Sequence, residues 1–233
     1  MLKAHNLSKH FGGVTAVDGV SFELRAGEVT ALIGPNGAGK TTLFNLLSGT
    51  TVFDRGTLSF NQRDITHASP EARARAGISR TFQLARPFRN LTVGDHMRLA
   101  MDGGVGSTGD PGSWLERVGL ASLPLSLSAL DLSYGQSKLL GLAMALAHPH
   151  DLLLLDEPAA GVNPVIRAQL SELLRSLRTA GMTTLIIEHD MGFVMPLADR
   201  VLVMDRGRLI ADGSPESIQR DEAVLSAYLG AHV

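Results

Sequence analysis

Gly34-Pro35-Asn36-Gly37-Ala38-Gly39-Lys40-Thr41-Thr42 decides the reading of this chain, because it holds every part of an anion cradle in chain order. Its glycines let the backbone curl until successive N–H groups converge, and the run opens into an apolar helix whose N-terminus adds its positive dipole end. Lys40 adds a full positive charge, and Thr41 offers the hydroxyl that can join a magnesium ion held between outer phosphates. The preceding residues, Glu28-Val29-Thr30-Ala31-Leu32-Ile33, read as a buried strand, so the strand–loop–helix setting is complete. The stretch predicts a nucleotide site.

The chain that holds this loop has 233 residues, enough for one compact unit or a core carrying an inserted subdomain. Against 21 basic residues stand 23 acidic ones, and a net charge of −2 argues against nucleic acid as a partner. Cysteine does not occur, which excludes disulfides, thiolate chemistry and cysteine-held zinc. His148 and His150 flank Pro149 without further ligand spacing, and so are expected in a solvated turn. No apolar run approaches the ~20 residues of a membrane span, and the residues after Met1-Leu2-Lys3 do not read as a signal-peptide core. The chain is therefore expected to be soluble by itself. Hydrophobic content of 44% with only 5% aromatic residues fits helices covering a sheet.

Working outward, residues 2–7 and 14–24 are expected as strands joined at Gly12-Gly13, with Thr57-Leu58-Ser59-Phe60 as an edge strand. Residues 70–76 read as a short helix and 78–83 as a strand. Beyond these, strand character is scarce as far as residue 149. Residues 93–101 and 114–118 fit short helices, separated by residues 102–112, whose composition is that of a flexible loop. This middle third reads as a helical subdomain inserted into the core. The core resumes at Asp151-Leu152-Leu153-Leu154-Leu155, a parallel strand buried on both faces. Asn163 and Pro164 suit the cap and first position of a helix with Ile166, Leu170, Leu173, Leu174 and Leu177 on one face, ended by Gly181. Strands over 183–187, 201–205 and 208–211 and helical segments over 214–229 follow, so the sheet is expected to be largely parallel.

Asp156-Glu157-Pro158 sets two carboxylates at the C-terminal end of the leucine strand, where open α/β sheets bind ligands. Beside a phosphate loop they divide by role, Asp156 toward magnesium and Glu157 toward an attacking water. Leu132-Ser133-Tyr134-Gly135-Gln136 precedes a helix with Leu139, Leu142, Ala143 and Leu146 on one stripe, and alone Ser133 reads as a plain N-cap. Joined in order by Gln83 after Thr81-Phe82, and by His189 in Ile187-Glu188-His189-Asp190, this set resembles the ABC ATPases. In that family a second anion-binding helix carries a Leu-Ser-Gly-Gly-Gln-like signature. The resemblance covers nearly the whole chain.

It implies an α/β fold with a P-loop NTPase core, a mostly parallel sheet flanked by helices, and an antiparallel β-subdomain. Residues 1–85 would form the first part of the core, 86–150 the helical subdomain with the signature, and 151–233 the second part of the core. ATP and Mg2+ are the implied cofactors. Two subunits would pack head to tail, each ATP lying between one subunit's phosphate loop and the other's signature helix, which makes Ser133, Gly135 and Gln136 ligands in trans. Gln83 would sense magnesium and the attacking water, His189 would contact the γ-phosphate, and Phe11 with Val17 would carry the adenine. Arg86-Pro87-Phe88-Arg89-Asn90-Leu91-Thr92-Val93 resembles the groove that receives a cytoplasmic helix of the transmembrane permease subunits.

Tyr134, Ala159-Ala160-Gly161-Val162-Asn163-Pro164 and Ala227-Tyr228-Leu229-Gly230 are similar to ATPase subunits that energise uptake of branched-chain and other hydrophobic amino acids. Urea and short-amide importers, the lipopolysaccharide exporter and a non-transport ABC protein are the alternatives. The importer reading implies a peripheral position on the cytoplasmic face of the cell membrane. It also implies a second ATPase subunit of different sequence and, indirectly, a periplasmic or extracellular binding protein. The chain departs from the pattern at Met144, where arginine is usual, at Asn163, where aspartate is usual, and in a short helical insert. Asn61-Gln62-Arg63-Asp64 lacks the lysine of a guanine-reading motif and reads as a hairpin turn, which sets a GTPase aside.

Overall fold

The computed structural model describes residues 1–81, 88–102 and 110–229. Its first layer follows from alternation: in β1 (Leu2–Phe11) and β2 (Val14–Leu24), Leu2, Ala4 and Leu7 and then Val20, Phe22 and Leu24 turn to one buried face. β3 (Val29–Ile33) is buried throughout and leads through the phosphate loop into α1 (Lys40–Ser48). β4 (Arg55–Phe60) and β5 (Arg63–Asp64) complete an antiparallel sheet of order β2-β1-β4-β5. The expected edge strand is therefore an inner one, because two residues of β5 pair along its outer side. Between them Asn61 and Gln62 both take positive φ, the geometry of a tight two-residue hairpin turn. β1 also runs four residues past its expected end, its pairing with β2 continuing through register shifts after Ala4.

α2 (Pro70–Arg75) is capped by Ser69, and β6 (Ile78–Arg80) ends short of the expected strand, whose last residues lie outside those described. In the insert, α3 (Val93–Asp102) matches its prediction, while α4 (Pro111–Arg117) begins inside the stretch read as a loop. Asp110 accepts from the Gly112 N–H and Pro111 holds the first position, so a cap-and-proline start outweighs the glycine-rich composition. α5 (Tyr134–Ala147) packs against α3 and α4.

β7 (Leu152–Asp156), α6 (Pro164–Thr179), β8 (Thr183–Ile187), the short α7 (Met191–Val194), β9 (Arg200–Asp205) and β10 (Arg208–Gly213) finish the core, followed by α8 (Pro215–Ile218) and α9 (Glu222–Leu229). The main sheet has the order β10-β9-β3-β8-β7-β6, parallel except where β9 meets β10. Because neighbouring side chains along a strand point to opposite faces, each leucine-rich strand serves two cores. Ala31, Leu153, Leu155 and Ile186 pack with α5 and α6. Leu32, Leu152, Leu154 and Leu185 pack with α1 and the antiparallel sheet.

Candidate nucleotide-binding and hydrolytic site

The phosphate loop leaves the C-terminal end of the central strand β3. Two of its glycines are irreplaceable on geometry. At Gly34, φ is +147° and a Cβ would stand 2.1 Å from the Met204 carbonyl oxygen; at Gly39, φ is +99° and a Cβ would stand 2.2 Å from that of Ala16. Gly39 caps α1 without any side-chain hydrogen bond, which leaves the helix's first N–H groups to an anion. Lys40 is buried and folds back on the loop, its Nζ donating to the carbonyls of Gly34 at 2.7 Å and Pro35 at 2.9 Å. Burial pulls its ammonium below the usual lysine range, and the Glu157 carboxylate opposes that pull. Asn36, Gly37 and Thr41 are exposed, Pro35 and Thr42 half-buried, and Ala38 is buried under the loop.

Asp156 is buried at the end of β7. Its Oδ2 accepts from Arg80 Nη2 at 3.0 Å, and Arg80 Nη1 in turn donates to Asn45 Oδ1 at 2.7 Å and Ser48 Oγ at 2.8 Å on α1. Burial pushes the Asp156 carboxyl up despite the guanidinium beside it. Oδ1 is buried with no hydrogen-bond partner among the described residues. An orphaned carboxylate oxygen and a threonine hydroxyl are hard oxygen donors, so the residues present fit a magnesium ion.

Glu157 follows with φ of +47°, a left-handed conformation that costs a non-glycine residue on the order of 1–3 kcal/mol. Its surroundings fix it there. Its N–H donates to Ile187 O at 3.0 Å, and its carbonyl accepts from Lys138 Nζ at 2.6 Å and Ala160 N–H at 3.2 Å. Its carboxylate Oε1 lies 2.7 Å from His189 Nε2. The buried Glu188 braces the same corner, Oε1 accepting from Ala159 N–H at 2.7 Å and Oε2 from His189 N–H at 3.3 Å. The loop lysine, the acidic pair and His189 thus lie close together.

The remaining expected positions lie as follows. Ser133 and Gln136 close a capping box: Ser133 Oγ accepts from Gln136 N–H at 3.3 Å, while Gln136 Oε1 accepts from Ser133 N–H at 2.9 Å. The side chain of Gln136 is thereby engaged within its own helix, and Ser133 stands exposed beside the half-buried Gly135. Phe11 is half exposed, with Lys9 Nζ 5.3 Å from its ring centroid. Val17 has no exposed surface, so the expected contact with a base is corrected to a core position. Gln83, Arg86 and Pro87 lie outside the described residues. Phe88 is exposed, and its N–H donates to Nε2 of the buried His96 at 2.9 Å. Asn163 caps α6, its Oδ1 accepting from Ile166 N–H at 2.9 Å, and Met144 is half-buried against the helical core. Sequence reasoning missed the parts of Arg80, Glu188 and Lys138. The nearest signal was their position: one residue from Thr81, one from His189, and one helical turn after Tyr134.

A central parallel strand feeding a glycine cradle, with an aspartate–glutamate pair two strands away and a histidine on the carboxylate, defines a P-loop nucleotide-hydrolysing protein. The model of the ABC transporter family matches residues 17–160, and that of the branched-chain amino acid ATP-binding cassette transporter matches residues 208–233. The chain belongs to the ATP-binding subunits of ABC transporters and is an ATPase. It is 40% identical to the high-affinity branched-chain amino acid transport ATP-binding protein LivG of Salmonella typhimurium, over 99% of this chain and 98% of that protein. It is 37% identical to BraF of Pseudomonas aeruginosa, likewise a high-affinity branched-chain amino acid transport ATP-binding protein, over 99% and 98%. A nucleotide-free ATP-binding cassette from an ABC transporter superimposes with a TM-score of 0.87 at 32% identity, covering 98% of both chains. The ADP conformation of the cassette MJ1267 gives 0.86 at 32% identity, covering 99% and 98%.

Proposed function

We propose that this chain hydrolyses ATP to drive import of branched-chain or other hydrophobic amino acids, working as one of two cassettes beneath transmembrane permease subunits. The observation that carries the chemistry is the Glu157–His189 contact of 2.7 Å beside the loop that holds Lys40. Lys40, the loop N–H groups and the start of α1 bind the phosphates, and Phe11 offers its exposed ring to the adenine. Glu157 takes the proton of the attacking water, and His189, hydrogen-bonded to it, orients that carboxylate and meets the γ-phosphate. Thr41, Asp156 and Gln83 are the residues that would hold a magnesium ion, which would supply neutralisation of phosphate charge.

Ser133, Gly135 and Gln136 complete the site of a second cassette, because a capped but exposed helix N-terminus stabilises an anion brought by another chain. The substrate reading is supported by the C-terminal match over residues 208–233 and by the names of the relatives. Among the described residues no helix is long and apolar enough to cross a membrane, which is consistent with a subunit held at the cytoplasmic face by its permease partners. A periplasmic or extracellular binding protein would deliver the substrate to them.

Glu157→Gln is expected to keep ATP binding and lower the hydrolysis rate by ~10²–10⁴, the usual worth of a positioned general base. Phosphate release beside nucleotide binding checks it, and undiminished hydrolysis would reject Glu157 as the base. Uptake of radiolabelled leucine against urea by the assembled transporter tests the substrate class.

A further inference from the structure

Lys138 lies on α5 one helical turn beyond Tyr134, and the two side chains share a face of the helix. That face rests on the turn after Glu157. Lys138 Nζ donates to the carbonyl of Glu157 at 2.6 Å and to that of Ala160 at 2.7 Å, and it lies 5.4 Å from the centroid of the Tyr134 ring. The Tyr134 ring covers Gly161 so closely that a Cβ there would stand 3.0 Å from Tyr134 Cε1. Glu157 needs such support, since its left-handed backbone is held by partners rather than by its own preference. Burial lowers the Lys138 ammonium, while Glu188, Glu157 and Asp156 counter that effect, so the cation sits among the acids of the site.

The same helix begins at the exposed Ser133. We propose that Lys138 is a positioning residue that ties the signature helix to the backbone of Glu157 in the same chain. Nucleotide engaged by Ser133 at one site of the dimer then sets the Glu157 carboxylate at the other. This rests on the roles proposed above for Glu157 and Ser133.

The test uses the assembled transporter carrying Lys138→Met or Lys138→Arg in this chain alone. Lys138→Met removes two charge-assisted hydrogen bonds at nearly constant volume and should lower kcat by about tenfold or more. KM for ATP should stay unchanged, and the Hill coefficient for ATP should fall toward unity. Lys138→Arg, which can still reach both carbonyls, should restore most of the rate and the cooperativity. Wild-type kcat and cooperativity in Lys138→Met would overturn the proposal, as would an arginine variant as slow as the methionine one. Nucleotide binding lost in step with kcat would overturn it too, by showing that the lysine merely holds the fold. Glu157→Gln in parallel separates the two ideas. Hydrolysis that survives Glu157→Gln defeats the site reading, whereas a silent Lys138→Met beside a dead Glu157→Gln defeats only the strut.

Discussion

Arg80 is the residue whose guanidinium opposes the upward push of burial on the Asp156 carboxyl. The pair is nearly sealed from solvent, with side-chain exposures of 10% and 1%, so the attraction is little screened and desolvation is correspondingly severe. Removing one partner of such a pair strands the other charge. Arg80→Met is therefore expected to lower the stability of the nucleotide-free chain by about 3 kcal/mol. Urea denaturation followed by the fluorescence of the single tryptophan, Trp114, measures it, and an unchanged midpoint would show that Asp156 does not depend on the guanidinium. Nothing local in the sequence announces this pair, because 76 residues separate its members and only the pairing of β6 with β7 brings them together.

At the scale of elements, the legible parts were those whose physics is local. β3 with its glycine loop, the leucine run of β7, and the Asn163-Pro164 start of α6 are each specified by contiguous residues, and each lies where its sequence indicated. The cap carries its own prediction. Asn163→Ala leaves an N–H of the first turn of α6 without its acceptor and is expected to cost about 1 kcal/mol, read from the denaturation midpoint. The misjudged elements were decided by neighbours. β4 became an inner strand through a two-residue β5 too short to signal itself, and β1 outran its pattern because bulged pairing with β2 sustains it. In the site, the closeness of Lys40 to the Asp156-Glu157 pair was readable from motif order. Val17 was not, since burial of a valine inside a two-sheet core depends on packing that no short motif encodes.

For the whole molecule, the insert and the core border a mostly apolar cavity of about 630 Å³ whose lining includes Phe88, His96, Leu99 and Met144 from the insert and Ser79 and Pro158 from the core. An exposed phenylalanine at such a mouth suits the end of a partner's helix. Phe88→Ala is expected to abolish transport while nucleotide binding by the chain stays intact, a split that uptake and binding assays read separately. Unimpaired transport would rule out a partner contact at Phe88. The placing of the phosphate loop has a different kind of consequence. It hangs from β3, which is hydrogen-bonded on both sides by β8 and β9, while frayable edges fall to β6 and β10. The amides of that strand should be among the last to exchange with solvent, opening only when the entire chain opens. Losing the strand that carries the nucleotide cradle and losing the fold are then a single event, and occupancy by nucleotide protects the chain against global unfolding and proteolysis as directly as it fuels its work.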